Sequence, residues 1–473
     1  MPVTDAPDPP VVDFLRTAAL SKLVASARLE EVVSAATSGD ARRAGPVAEY
    51  LVKIGELTRF QADKLLAGVW QGLVIGHFRV LCPLGRGGMG VVYLAKDDRA
   101  PHPGSLEARR TALAALKVLP PARAKREPRT LARFRREMQL GRGLPAHPSL
   151  ARILDAGEDA KVHFLAMEYV PGPTLRQTIA DSGKLPIGSA CRIFAEVAGG
   201  LHAAHEAGVV HRDVKPSNVI VSPFGPAKLL DFGFAFKIGE TLVDDPAIFG
   251  GPGHTLGTMD YLAPEQAANA RAVTRAADLY SLGCTLYFAL AGCPPFPGGT
   301  AKDKIRWHRT DAPPPVASFN PLVPPGLVKL LDSLMAKDAR LRPATAAAVA
   351  KALAEWADPP PPRPVGGAPP DVELQRRAEA KWLAAKGASA DAGEDDDAPI
   401  FLDDTIPLPS LPTAVALPAV APGEATPEPE PAPPPRRGYT LGPVQLLAAA
   451  GVLGALVVLS FLAGLALGFA GTR

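Results

Sequence analysis

The sequence predicts a mixed body of strands and helices with a helical extension before it and a disordered linker and a membrane-crossing helix after it. Three observations predict this. Apolar residues recur at helical spacing from Asp13 to about Gly76, strand-like alternation opens at Phe78-Arg79-Val80-Leu81, and the composition changes abruptly beyond Asp358. The parts are therefore set at 1–77 for the extension, 78–356 for the body, 357–440 for the linker and 443–470 for the membrane helix.

In the extension, Phe14, Ala18 and Leu20, then Leu23, Ala27 and Val32, form one amphipathic stretch; Val47, Leu51, Ile54 and Leu57 form another. Gly39, Gly45, Pro46 and Gly55 punctuate them. No catalytic cluster is visible there. The expected role is packing on the body, with partner docking or dimerisation as the alternative.

At 473 residues the chain has room for more than one domain. A net charge of +3 gives no global reason to expect nucleic-acid binding. Cys82, Cys191, Cys284 and Cys293 show neither Cys-x-x-Cys spacing nor a neighbouring His cluster, so reduced thiols are expected rather than a disulfide framework or a zinc site. The start, Met1-Pro2-Val3-Thr4-Asp5, lacks a basic and apolar signal sequence, which places the body in the cytoplasm.

Beyond the body, Pro359 to Pro364 is nearly all proline, and Asp391 to Pro435 holds many acids but no Lys or Arg. Such a stretch buries too little apolar surface to offset its ordering entropy, so it is expected to be disordered and extended by self-repulsion, with one short helix around Val372 to Ala385. Val444 to Ala470 carries no charge, and only Gln445 and Ser460 are distinctly polar. A bilayer core needs ~20 apolar helical residues, so the run suffices for one crossing. Arg436 and Arg437 just before it put the preceding residues on the cytoplasmic side, giving a single-pass protein of the inner membrane. Ser460, Gly464 and Gly468 share one face of that helix and would allow close packing of a homodimer.

Chemistry concentrates in His211-Arg212-Asp213-Val214-Lys215-Pro216-Ser217-Asn218, followed by Asp231-Phe232-Gly233. Asp213 supplies a carboxylate able to accept a hydroxyl proton. Asn218 supplies an amide oxygen and Asp231 a second carboxylate for a metal ion. Phosphoryl transfer needs such groups because its transition state is governed by positioning and by charge neutralisation. The run resembles the catalytic loop and metal-binding motif of the Hanks-type Ser/Thr protein kinases, in particular the membrane-linked bacterial ones, and the resemblance extends over roughly 78 to 356.

That resemblance implies an α+β fold of two lobes, a β-rich N-lobe and a helical C-lobe, with ATP between them. Leu84-Gly85-Arg86-Gly87-Gly88-Met89-Gly90-Val91-Val92-Tyr93 fits the glycine-rich turn over the nucleotide, and a strand rather than a helix follows it. Ala114-Ala115-Leu116-Lys117-Val118 is similar to the strand whose lysine grips the phosphates, and the resemblance implies Glu137, in Phe134-Arg135-Arg136-Glu137, as its partner; Arg133 and Glu127 are the contenders, but Glu127 precedes Pro128 and so lies outside a helix interior. Lys96 to Arg110 reads as an inserted loop. Gly141 and Gly143 fall within the same expected helix as Glu137 and suggest that it is loosely held. Met167-Glu168-Tyr169-Val170 falls where the adenine-binding hinge belongs.

The implied catalytic groups are Asp213, Lys215, Lys117 and Glu137. The implied nucleotide contacts are Leu84, Gly85, Gly87, Gly90, Val92, Lys117, Glu168, Val170, Asn218 and Asp231, with Asn218 and Asp231 holding Mg²⁺, or Mn²⁺ in its place. Lys215 and Thr258 match Ser/Thr rather than Tyr specificity. Ala263-Pro264-Glu265 resembles the end of an activation segment whose ion partner is Arg342, and Asp278 resembles the aspartate that braces the catalytic loop. Arg212 beside the base marks enzymes switched by phosphorylation, here at Thr241 or Thr255, with Thr255 preferred. The implied activity is transfer of the ATP γ-phosphate to protein Ser/Thr hydroxyls. A membrane-anchored pseudokinase scaffold and a small-molecule phosphotransferase are the competing readings; the first is disfavoured by the complete set of nucleotide and metal groups, the second by the Ala-Pro-Glu element and the Asp278 region.

Overall fold

The computed structural model describes residues 9–25, 27–29, 31, 43–87, 90–99, 112–232, 235–237, 256–268, 273–362 and 369–389. The chain divides into two compact units, and every element below belongs to the one made of Met1–Val24 and Val32–Leu402.

Three helices lead in: α1 (Val11–Ser21), α2 (Ala44–Lys53) and α3 (Arg59–Leu66). α1 buries Phe14, Thr17, Ala18 and Ser21, one stripe at helical spacing, and stops at Lys22, which takes a left-handed φ of 59°. The first expected amphipathic stretch is therefore cut at Ser21. α2 buries Ala44, Val47, Ala48 and Leu51, whereas Ile54 just past its end is 41% exposed. α3 has a capping box: the Thr58 hydroxyl accepts from the Gln61 N–H, and the Gln61 side chain accepts from the Thr58 N–H. Eight residues are too few for its period to show in the sequence.

The N-lobe sheet contains β1 (Val74–Ile75), β2 (Phe78–Gly87), β3 (Gly90–Asp97), β4 (Leu113–Leu119), β5 (Ile153–Asp159) and β6 (Val162–Glu168). All pairings are antiparallel, in the order β1-β2-β3-β4-β6-β5. Every residue of β4 is buried, as its continuous apolar run requires.

Between β4 and β5 run α4 (Pro121–Arg126) and α5 (Pro128–Arg142), each opened by a proline at a position where a helix needs no N–H. α5 turns Thr130, Phe134, Glu137, Leu140 and Gly141 inward. The expectation that its glycines leave it loosely held is corrected at Gly141. A Cβ there would lie 2.6 Å from Ile153 Cγ1, so the glycine lets the helix seat on β5. Gly141→Ala is expected to lower stability by about 1–2 kcal/mol, because overpacking outweighs the gain in helix propensity. Thermal unfolding checks this.

The C-lobe contains α6 (Leu175–Ser182), α7 (Ile187–Glu206), β7 (Val209–Val210), β8 (Val219–Ile220), β9 (Lys228–Leu229), β10 (Phe236–Lys237), α8 (Pro264–Ala268), α9 (Arg275–Ala291), α10 (Ala301–Thr310), α11 (Pro325–Leu334) and α12 (Ala346–Leu353). β7 pairs with β10 and β8 with β9, both antiparallel. α9 is the core helix, with Tyr280 and Tyr287 fully buried. Gly283 lets it approach α11, since a Cβ there would come within 2.8 Å of Leu334 Cβ.

The expected linker of 357–440 is interrupted. α13 (Asp371–Ser389) contains the short helix anticipated around 372–385, but instead of standing in solvent it packs back on β2 and α3, burying Leu374 and Ala378. Residues 391–473, including the expected membrane helix at 443–470, lie outside the described residues. Among the described residues no helix is long and apolar enough to cross a membrane.

Candidate active site

The β2–β3 hairpin closes with Gly87 paired to Gly90; Gly88 and Met89 lie outside the described residues. The glycines of the turn serve different ends. Around Gly85 a Cβ would meet nothing within 4 Å, which leaves backbone open to a ligand. At Gly90 a Cβ would lie 2.1 Å from the Val118 carbonyl oxygen, so strand packing itself requires this glycine. Leu84 is 37% exposed at the mouth of the hairpin, and Val92 stands opposite Lys117 across β3 and β4.

Lys117 is buried between two carboxylates. Its Nζ donates to Glu137 Oε2 at 2.8 Å and Oε1 at 3.0 Å, and to Asp231 Oδ1 at 3.0 Å. Burial works against the ammonium, but the Asp231 and Glu137 charges outweigh it and raise its pKa. At Asp231 burial also opposes ionisation, yet the same ammonium holds the carboxyl well below its usual range. One cation thus bridges two carboxylates, and burial, with the Asp231 charge beside it, pushes the Glu137 carboxyl up to about 8. Glu137 is positioned as expected, and Glu127 is confined to the residue before α5.

The catalytic-loop residues lie between β7 and a 3-10 turn at Pro216–Asn218. Asp213 accepts from Lys215 Nζ at 2.7 Å and from Asn218 Nδ2 at 3.0 Å. The Asn218 amide also donates to the Asp213 carbonyl at 2.8 Å, which leaves its oxygen as the ligand atom. Burial raises the Asp213 pKa, against the pull of Lys215, and so makes it a better proton acceptor.

Arg212 and Asp231 adopt left-handed φ values of 67° and 62°, a conformation that costs a non-glycine residue about 1–3 kcal/mol. Asp278 holds the first of them. Its buried carboxylate accepts from the N–H of His211 at 2.8 Å, of Arg212 at 2.7 Å, and from His205 Nε2 at 2.7 Å. Burial opposes its ionisation, but the His205 contact keeps it below the usual carboxylate range. Gln266 Nε2 donates to the Arg212 carbonyl at 3.0 Å, and His211 Nε2 to the Leu230 carbonyl at 2.9 Å.

Arg342, fully buried, forks onto Glu265 at 2.6 and 2.9 Å, joining the two residues paired in the sequence reading. Val170 is buried beyond β6. Glu168 ends β6 with its carboxylate 3.0 Å from Lys228 Nζ, which occupies the side chain and leaves the backbone of this run for a nucleotide. Thr241 and Thr255 lie outside the described residues. Thr258 belongs to a 3-10 turn at Leu256–Tyr261, with its side chain outside the description.

Sequence reasoning missed Gln266, His205 and the buried ion pair between Lys304 and Asp260, which ties α10 to the 3-10 turn. Gln266 follows the Ala-Pro-Glu element directly, and that neighbourhood was the available signal. Nothing local marks His205 or Lys304.

Among the described residues no group of three or more His, Cys, Asp or Glu is placed to hold a metal. Asp231 and the Asn218 amide oxygen nevertheless fit Mg²⁺, which binds through one or two carboxylates together with substrate phosphates and water.

Residues 78–354 match the protein kinase domain family. The serine/threonine-protein kinase pkn2 of Myxococcus xanthus is 38% identical over 284 residues, covering 59% of this chain but only 32% of that protein, so the matched stretch is well under half of that relative. The serine/threonine-protein kinase PknA of Mycobacterium tuberculosis is 32% identical over 390 residues, 81% of this chain and 80% of the other. The crystal structure of the Mycobacterium tuberculosis PknI kinase domain aligns at 30% identity and a TM-score of 0.45, covering 60% of this chain and 98% of that one. With β2 to β10 and the loop that carries Asp213 inside the matched stretch, the chain belongs to the protein kinase domain family, among relatives that are bacterial serine/threonine-protein kinases.

Proposed function

We propose that this chain is an ATP- and Mg²⁺-dependent serine/threonine protein kinase, held by its C-terminal apolar segment at the cytoplasmic face of the inner membrane. The observation that supports it most is the hydrogen-bonded set formed by Asp213, Lys215 and Asn218 on one loop and Lys117, Glu137 and Asp231 beside it, with only Lys215 and Asp231 partly open to solvent. Asp213 accepts the proton of the substrate hydroxyl, and Lys215 offsets charge at the transferring phosphate. Lys117, steadied by Glu137, faces the phosphates that precede it. Asn218 and Asp231 hold Mg²⁺, or Mn²⁺ in its place, which supplies charge neutralisation when bound. Leu84, Gly85, Gly87, Gly90, Val92 and Val170 enclose the nucleotide.

The test is transfer of labelled γ-phosphate to a generic protein acceptor, followed by phosphoamino-acid analysis, with Lys117→Met as the inactive control. Label on Ser and Thr that disappears with a chelator supports the reading. Folded enzyme that transfers nothing, or transfers only to Tyr, overturns it.

Autophosphorylation within 241–258 is part of the same reading. Burial, together with the charges of Arg136 and Arg133, pushes the Arg212 guanidinium down to about 10. A phosphate of about −2 charge brought to these three arginines would relieve their repulsion and order the segment. Thr255→Ala is expected to lower activity on added substrate severalfold. Mass spectrometry that finds fully active enzyme unmodified in this segment excludes the switch.

Deleting 443–470 is expected to move the protein from the membrane fraction to the soluble one without loss of intrinsic activity. Replacing Gly464 and Gly468 with Ile is expected to reduce cross-linked homodimer while leaving the protein in the membrane. Unchanged fractionation of the deletion, or unchanged cross-linking, removes the corresponding claim.

A further inference from the structure

The strand that carries the glycine-rich turn has a second anchor outside its sheet. β2 and β3 shift register between Val80 and Cys82, so Leu81 is passed over in their pairing. The Leu81 carbonyl accepts instead from Thr58 Oγ1 at 2.6 Å, and the Val80 carbonyl from Gln61 Nε2 at 2.6 Å. Thr58 and Gln61 are both buried, and they are the same two residues that box the start of α3. One pair of side chains therefore caps a helix and grips a bulge three residues ahead of Leu84.

α13 completes this anchor from the other side. Its Glu379 accepts from the backbone N–H of Arg59 and faces that of Phe60, at the first turn of α3. Donors there are otherwise unpaired within a helix, and an acidic side chain at that end is favoured by the helix dipole. Trp382 meets Phe60 edge-on at 5.4 Å, and Phe60 lies 6.1 Å from Tyr93 on β3. Lys386 approaches Asp63 at 3.7 Å, and Lys381 reaches Gln177 of α6 in the helical lobe at 3.5 Å.

We infer that α13 is a positioning element for the glycine-rich turn: through Glu379 and the boxed start of α3 it braces the β2 bulge and so tightens the binding of ATP. The inference rests on the kinase reading above. A braced strand leaves fewer conformations of the turn to be ordered when nucleotide enters, and that cost otherwise subtracts from affinity. Since α13 stands at the root of the segment leading to 443–470, ATP affinity becomes dependent on whether that root is docked.

The test uses the full chain with Glu379→Ala, Trp382→Ala and the acceptor-preserving Glu379→Gln. The readouts are titration with a fluorescent ATP analogue, hydrogen exchange of nucleotide-free protein, and steady-state kinetics. Glu379→Ala is expected to raise the dissociation constant of the analogue about fivefold, a factor near that of one lost helix cap. Exchange at 78–87 should quicken, the KM for protein substrate should stay unchanged, and Glu379→Gln should recover most of the affinity. Trp382→Ala should shift the same quantities in the same direction.

The inference is overturned if exchange at 371–389 shows α13 released while analogue affinity and exchange at 78–87 stay at wild-type values. A fall in kcat or unfolding temperature with unchanged analogue affinity also overturns it, because α13 would then serve stability alone. Failure of the kinase reading is distinct: the wild-type protein would bind no analogue and transfer no phosphate, and the exchange comparison at 78–87 would still decide whether the brace exists.

Discussion

Asp213→Asn is expected to reduce phosphoryl transfer by about 10³-fold while leaving the fold intact, the range seen when a positioned general base is removed. The substitution keeps the side-chain volume and one acceptor oxygen for Lys215 and Asn218, so the loop geometry survives. What it removes is the carboxylate whose pKa burial has raised. Asp231→Asn is expected to show a comparable loss for a different reason, since it deletes the carboxylate that faces Lys117 and is assigned to the metal. Steady-state rates with circular dichroism on each variant check both. Turnover near wild type in a folded Asp213→Asn protein would remove the base assignment.

Glu265→Ala is expected to destabilise the protein by about 3–5 kcal/mol, the cost of leaving a buried charge without its partner. Arg342 has no exposed side-chain surface. Besides Glu265 it donates to the carbonyls of Ala336 and Ala276, and it lies 4.9 Å above the Tyr280 ring. Once the carboxylate is gone, the guanidinium faces backbone carbonyls and an aromatic ring in place of an anion. The double variant Glu265→Leu with Arg342→Met is expected to lose less than Glu265→Ala alone, because apolar residues of similar volume leave no unpaired charge. Chemical denaturation of the three proteins separates these outcomes; a loss below about 1 kcal/mol in Glu265→Ala would mean the pair is worth no more than a surface one.

The site was legible largely because its chemistry is carried on short spans of chain. Asp213, Lys215 and Asn218 lie within six residues, so their spacing alone brings them together in any loop of this kind. Lys117 was readable from the resemblance of its apolar strand to the family's, and Glu137 as the partner that resemblance implies, with Glu127 argued against by Pro128. The partners that hold the loop were readable only in part. Asp278 showed in its motif, but His205 and Gln266 meet the loop from other elements.

The glycines show the same limit from another side. Their number and spacing announced a turn, and looseness was the natural reading of Gly141. Only the neighbouring Ile153 side chain shows that the missing Cβ is space already taken.

The sequence by itself determined the strand-rich start and helical remainder of residues 78–356, the motifs whose residues are proposed for the cleft, and the abrupt change of composition after Asp358. Those properties follow from local periodicity, from the chemistry of single side chains, and from composition. The tertiary structure alone decided that Thr58 and Gln61 grip the bulge of β2 and that α13 returns to dock on α3. α13 mixes apolar and polar residues about evenly, and its apolar positions are spread around the helix, so they give no sequence sign of a partner. Its docking rests on a carboxylate meeting the open N–H groups at the start of another helix and on one indole against one phenyl ring. Such contacts join residues about 320 positions apart, and no pattern within either segment encodes them.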